Sequence, residues 1–266
     1  MNTRRVIAVL CVVAACAVSA SPAFAVKYVA LGDSYSSGTG TRTYYDSGCQ
    51  KSVHSYPYLL RNAHPDWTLV HAACAGAKTG NIINGQAASV TADTNWVSYT
   101  IGGNDAGFSS VITECAQPGW WSNCNGAVDN AQSYINNTLP GRLDQVNNAI
   151  KSRAPNAKVV VLDYPRLFNG TDCNAGTFFS GSEMTRLNQT ADLLRTRISQ
   201  AASRGGANFL FRDVIPPFIG HAVCAGGGGS STEWINGLSN PIGESYHPKK
   251  TGHSSGYFPV IQATTG

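Results

Sequence analysis

Residues 26–31 read Val-Lys-Tyr-Val-Ala-Leu and run without a break into Gly32-Asp33-Ser34. A β-rich, mostly apolar run of that length is a buried strand, and the glycine-led turn after it is a loop delivered at the strand's carboxyl end. Four more such runs follow, at residues 68–71, 97–101, 158–162 and 208–212. Between them lie stretches of helical periodicity at 56–63, 127–153 and 181–204. Leu139, Leu143, Val146 and Ile150, for instance, recur at the spacing that lines one helical face. Strands alternating with helices predict an α/β fold whose central parallel sheet is covered on both faces, and ligands in such folds bind beyond the carboxyl ends of the strands. That rule gathers three polar, glycine-rich segments on one edge: Gly32-Asp33-Ser34, Cys74-Ala75-Gly76 and Gly102-Gly103-Asn104-Asp105. Residues 226–229, four consecutive glycines followed by Ser230 and Ser231, read instead as a flexible surface loop.

Ahead of the first strand, Arg4 and Arg5 precede an apolar run at 6–18 that ends at the small-residue site Ala23-Phe24-Ala25. This is the pattern of a secretory signal peptide spanning residues 1–25 and removed from the mature chain. Ser19, Ser21 and Pro22 interrupt the run before it reaches the about 20 apolar residues of a membrane span. Val13-Ala14-Ala15-Cys16 loosely resembles a lipoprotein cleavage box, but the first strand starts directly after Ala25 and leaves no tether. The arginine pair is a weak match to twin-arginine export. Residues 26–266 suit one domain rather than two. Without the leader, 17 basic side chains face 15 acidic ones, a net +2 that gives no electrostatic basis for binding nucleic acid. Six cysteines remain, an even number that in an exported chain implies disulfides; of the fifteen pairings open to them, the sequential one is simplest for loops on an α/β scaffold. Zinc usually takes close pairs such as C-x₂-C, and the mature sequence has none.

A serine nucleophile needs a base, a group that orients the base, and donors for the oxyanion. Ser34 sits in a glycine-rich turn after a buried strand, where its hydroxyl can project. Asn104 offers a side-chain amide, and Gly76 a backbone N–H that no β-carbon shields. Each residue alone has an ordinary alternative, since Ser, Asn-Asp and Gly are common turn residues. Their joint placement at successive strand ends is what turn chemistry does not account for. Among six histidines, His247 precedes Pro248, which disfavours helix at 247 and so sets the imidazole on a loop. Gly252-His253-Ser254-Ser255-Gly256 fits the G-x-S-x-G pattern of another hydrolase fold, but no histidine follows it, as that fold requires.

The blocks from Ala30 to Gly38, Gly76, Gly102-Gly103-Asn104-Asp105 and His247-Pro248 together resemble, in order, the four signature blocks of the GDSL/SGNH hydrolases. The six cysteines and the stretch from Thr100 to Phe108 resemble the extracellular lipases, esterases and phospholipases of actinobacteria in that family. The resemblance implies a flavodoxin-like three-layer α/β/α SGNH hydrolase fold. It also implies Ser34 as nucleophile, His247 as base, and an oxyanion hole made by the Ser34 and Gly76 N–H groups with the Asn104 amide. Sequential disulfides Cys49–Cys74, Cys115–Cys124 and Cys173–Cys224 are implied as well. One departure concerns the orienter: Glu244 stands three residues before His247, where the family usually has Asp. The backbone carbonyl of Ser245 is expected to hold the imidazole, with the Glu244 carboxylate as the alternative.

A secreted serine hydrolase of lipid esters is therefore expected, of lipase, esterase or phospholipase A type, acting as a monomer without cofactor or metal. A carbohydrate acetylesterase of the same family, or a secreted binding module without turnover, are the rivals. Phe108, Phe218 and Ile219 are candidate acyl-pocket residues. The expected substrate is a lipid or other ester, with a lipid–water interface as one place of encounter. Trp120 and Trp121 are expected to pack over the core beside Cys115 and Cys124; exposed, they would suit that interface. Activity is expected to fall as pH drops through the ordinary histidine pKa, about 6.5.

Overall fold

A computed structural model describes residues 25–266, so the leader reading lies, all but Ala25, outside the described residues. The chain runs β1 (Lys27–Ala30), α1 (Ser34–Ser37), α2 (Tyr56–Ala63), β2 (Thr68–His71), α3 (Thr79–Asn84), β3 (Trp96–Tyr99) and α4 (Phe108–Cys115). It continues through α5 (Cys124–Asn137), α6 (Leu139–Lys151), β4 (Lys158–Leu162), α7 (Gly181–Gly205), β5 (Phe209–Arg212) and α8 (Phe258–Thr265). All five strands are parallel, in the order β2-β1-β3-β4-β5. Val29 lies in register with Val70 on one side and Val97 on the other. The chain goes from β1 outward to β2 and then returns to the opposite side of β1. The switch in direction opens a crevice beyond the carboxyl ends of β1 and β3, where this strand order characteristically binds ligand.

Helices cover both faces. α2 packs with α8 on one side, while α3, α5, α6 and α7 form a connected layer on the other. The central strands are mostly apolar because both faces are dry: Val29 to Leu31, Val97, Ile101 and Val159 to Leu162 are all buried, and the buried Ser98 hydroxyl is paired with that of Tyr28. Leu139, Leu143, Val146 and Ile150 are wholly buried along α6, each such side chain stabilising the fold by about 1.5–3 kcal/mol. α7 begins at a reciprocal cap in which the Ser180 hydroxyl accepts from the Glu183 N–H and the Glu183 carboxylate accepts from the Ser180 N–H.

The single helix read at 127–153 is two. Pro140 has no N–H to donate and is tolerated only in a first helical turn, so α5 stops at Asn137 and α6 restarts at Leu139. α3, α4 and α8 went unread, while α2, no longer than α4 or α8, was read: about two turns give periodicity so few repeats that it registers in some short helices and not in others. The three disulfides form sequentially, with S–S distances of 1.98, 1.94 and 2.08 Å. Among the described residues no helix is long and apolar enough to cross a membrane.

Candidate active site

Ser34 opens α1 directly after β1, and its side chain is nearly buried. The turn before it needs glycine: Gly32 has φ of +119°, and a β-carbon there would sit 2.4 Å from the Thr100 carbonyl at the end of β3. Asp33 caps α1, one oxygen accepting from the Tyr35 N–H at 3.0 Å and the Thr100 hydroxyl at 2.8 Å, the other from the Tyr164 hydroxyl. Burial pushes the Asp33 carboxyl up to about 6, against the pull of these bonds. The Ser34 N–H has no acceptor among the described residues.

Nε2 of His247 lies 2.8 Å from Oγ of Ser34, across 213 residues of sequence. Its Nδ1 lies 2.9 Å from the carbonyl oxygen of Ser245. A carbonyl can only accept, so the Nδ1–H tautomer is fixed and the Nε2 lone pair faces the serine hydroxyl. Glu244 is turned elsewhere: its carboxylate accepts from the Tyr44 hydroxyl at 2.8 Å and from Nε of Arg42 at 3.1 Å. Burial lowers the His247 pKa to about 4, the Ser245 bond opposing this. The expected inflection at 6.5 thus moves well down, because a desolvated imidazole resists protonation.

The loop carrying the histidine is held at Tyr246, which has φ of +61°. For a residue with a β-carbon that left-handed conformation costs about 1–2 kcal/mol. The Tyr246 N–H donates to the Asn236 carbonyl at 2.9 Å, and the Tyr246 carbonyl accepts from the Tyr35 hydroxyl at 2.6 Å.

Asn104 follows β3, and its Nδ2 donates to the Ala77 carbonyl at 3.0 Å. That bond uses one amide hydrogen, leaves the other free, and ties the loop after β3 to the turn bearing Gly76. Gly76 has φ of +78° with open space where a β-carbon would point, and its N–H has no acceptor among the described residues. The Tyr164 hydroxyl accepts from the Gly103 N–H at 3.3 Å while donating to Asp33, linking the Asn104 loop to the Ser34 turn.

Ser34, Asn104 and His247 together border a cleft of about 280 Å³ whose further walls include Phe108 and Ile112 of α4 and Leu194 of α7. Of the three candidate acyl-pocket residues, Phe108 lines this cleft. Phe218 and Ile219 do not line it: Phe218 is buried against Trp234, Tyr257 and Gly256, and Ile219 projects to solvent beside a different cavity. They follow β5, three strands from β1, too far across the sheet to reach the crevice. The tryptophans also differ from expectation. Trp120 and Trp121 are 86% and 78% exposed, because the loop between α4 and α5 turns outward instead of folding over the core. Ser254 lies in a helical turn, Gly252–Tyr257, and not at a strand end. Tyr35, Tyr164 and Leu194 were missed by sequence reasoning; nothing local separates a tyrosine or leucine bound for a site from one bound for the core. Among the described residues no group of three or more His, Cys, Asp or Glu side chains is arranged to hold a metal ion.

Comparison with known proteins bears on the family and the fold. Residues 30–254 match the model of the GDSL-like Lipase/Acylhydrolase family. Lipase 1 of Streptomyces coelicolor is 44% identical over 252 residues, spanning 93% of this chain and 90% of that one. The crystal structure of an extracellular lipase from Streptomyces rimosus superposes with a TM-score of 0.82 at 41% identity, covering 91% of this chain and 100% of that one. A phospholipase A1 from Streptomyces albidoflavus also gives a TM-score of 0.82, at 38% identity over 90% of this chain and 99% of that one.

Proposed function

The chain belongs to the GDSL-like lipase/acylhydrolase family and is a carboxylic ester hydrolase, and on that premise we propose that it is a secreted enzyme cleaving lipid esters through Ser34 and His247. The observation that carries the reading is the continuous line from the Ser245 carbonyl through both ring nitrogens of His247 to Oγ of Ser34, at 2.9 and 2.8 Å. His247 takes the serine proton as Oγ bonds to the ester carbonyl carbon. The resulting oxyanion is met by the unengaged N–H groups of Ser34 and Gly76 and the free amide hydrogen of Asn104. As the C–O bond to the alcohol breaks, the imidazolium returns its proton to the leaving oxygen and an acyl-Ser34 ester remains. Water, deprotonated by the same nitrogen, then attacks that ester, releasing the carboxylic acid and restoring Ser34.

The acyl chain fits the cleft along Phe108, Ile112 and Leu194, whose apolar surface suits a hydrocarbon chain. Relatives named as lipases and a phospholipase A1 support lipid esters as the substrate class. The leader-like residues 1–25, three disulfides and an extracellular relative support secretion. Exposed Trp120 and Trp121 support encounter with substrate at a lipid–water interface.

A fluorophosphonate probe should label the wild type and leave Ser34→Ala unlabelled; equal labelling would remove Ser34 as nucleophile. A series of p-nitrophenyl esters of rising chain length, run beside a phospholipid and an acetylated polysaccharide, tests the substrate class. Turnover confined to the acetylated sugar would overturn the lipid assignment.

A further inference from the structure

We propose that the Tyr35 hydroxyl is a positioning element for His247, acting through the Tyr246 peptide to aim the Ser245 carbonyl and the imidazole at each other. This rests on the reading of His247 as the base.

Tyr35 follows the nucleophile directly, so its backbone is fixed by the same turn and helix that fix Ser34, including the Asp33 cap on its N–H. Its side chain crosses to the histidine loop and donates to the Tyr246 carbonyl at 2.6 Å, spanning 211 residues of sequence. No other group among the described residues donates to that carbonyl. The ring is wedged edge-on against Tyr164, with centroids 5.0 Å apart, and tilted against the His247 ring at 5.2 Å. A side chain so confined delivers its hydroxyl to one place.

The position of that hydroxyl matters because of what lies between the two groups that must meet. The orienting carbonyl and the ring it orients are two residues apart, and the intervening residue is the one with φ of +61°. Left to itself Tyr246 would relax toward negative φ, swinging the Ser245 carbonyl relative to the imidazole. The two peptide planes on either side of it are pinned by different neighbours. Asn236 holds the first through the Tyr246 N–H at 2.9 Å, and Tyr35 holds the second, the plane that leads directly into His247, whose own N–H makes only a long bond of 3.4 Å to the Glu244 carbonyl. Asn236 also holds the far side of the histidine, its N–H and side-chain amide both donating to the His247 carbonyl, at 2.9 and 3.1 Å. Tyr35 is thus the brace that references the histidine backbone to the nucleophile turn itself. A displacement of the Ser34 turn would carry the histidine loop with it, conserving the 2.8 Å approach of Nε2 to Oγ.

Tyr35→Phe removes the hydroxyl and keeps the ring. The variant should fold, lose kcat on the order of 10- to 100-fold, and keep KM within about twofold. The Nδ1 proton of His247, identified in the ¹H spectrum as the downfield signal missing from His247→Ala, should move or broaden in Tyr35→Phe. A kcat within about twofold of wild type overturns the proposal. So does a fall in kcat with the Nδ1 signal unmoved, which would mean that Tyr35 acts only by packing. Fluorophosphonate labelling of His247→Ala at the wild-type rate would defeat the base assignment itself, and is read independently of the tyrosine variant.

Discussion

Nδ1 of His247 faces the carbonyl oxygen of Ser245 at 2.9 Å, while the carboxylate one residue further back, on Glu244, is engaged by Arg42 and Tyr44. A neutral acceptor fixes the tautomer of the imidazole as a carboxylate would, but adds no negative charge to stabilise an imidazolium. The low His247 pKa fits that arrangement: burial disfavours the cation, and no anion beside the ring offsets it.

Glu244→Gln should therefore leave kcat/KM within about threefold of wild type, since the side chain does not touch the imidazole. The carboxylate is buried under an exposed Arg42, so the cost should fall on stability, as a modest drop in thermal midpoint. Steady-state kinetics beside a thermal melt separate the two; a loss of several orders of magnitude in kcat would restore Glu244 as the orienter.

The acid limb of kcat/KM should fall near pH 4 and not near 6.5. The proposed base, His247, acts only when neutral, so activity is lost as pH drops through the folded pKa, which burial sets at about 4. Asp33, pushed up to about 6 and adjacent to Ser34, is a second group able to inflect the profile. Asp33→Asn should erase any inflection it causes and leave the one belonging to His247. A single limb at 6.5 in both proteins would contradict the desolvation argument.

Asn104→Ala should lower kcat by about 10²–10³-fold with little change in KM, the signature of a donor used mainly in the transition state. The same substitution frees the Ala77 carbonyl, so the turn at Gly76 should loosen as well. Hydrogen exchange over residues 74–79 would register that loosening. Unchanged kcat would remove Asn104 from the oxyanion hole.

Replacing both Trp120 and Trp121 by Ala should weaken binding to phospholipid vesicles and slow hydrolysis of emulsified lipid. Turnover of a water-soluble short-chain ester should be untouched. Neither ring is packed in the core, so the thermal midpoint should shift little. Equal loss on soluble and emulsified substrates would place the effect in the cleft instead of at an interface.

The amino-acid sequence determined those features whose causes are local. Apolar β-rich runs laid down all five strands, three of them leading into glycine-bearing segments, and their alternation with helices predicted the parallel sheet. The carboxyl-end rule then picked out the segments holding Ser34, Gly76 and Asn104, and Pro248 marked His247 as a loop residue. Other choices were left to tertiary structure because they depend on groups far apart in the chain. Glu244 and Ser245 are adjacent in sequence, and which of them meets the ring depends on Arg42 and Tyr44, some 200 residues away, drawing the carboxylate aside. Phe218 and Ile219 have the right chemistry for an acyl pocket, yet the position of β5 in the sheet puts them elsewhere. The left-handed Tyr246, and the Tyr35 hydroxyl that braces it, have no signature in either local sequence, since a strained backbone is held only by the packing around it.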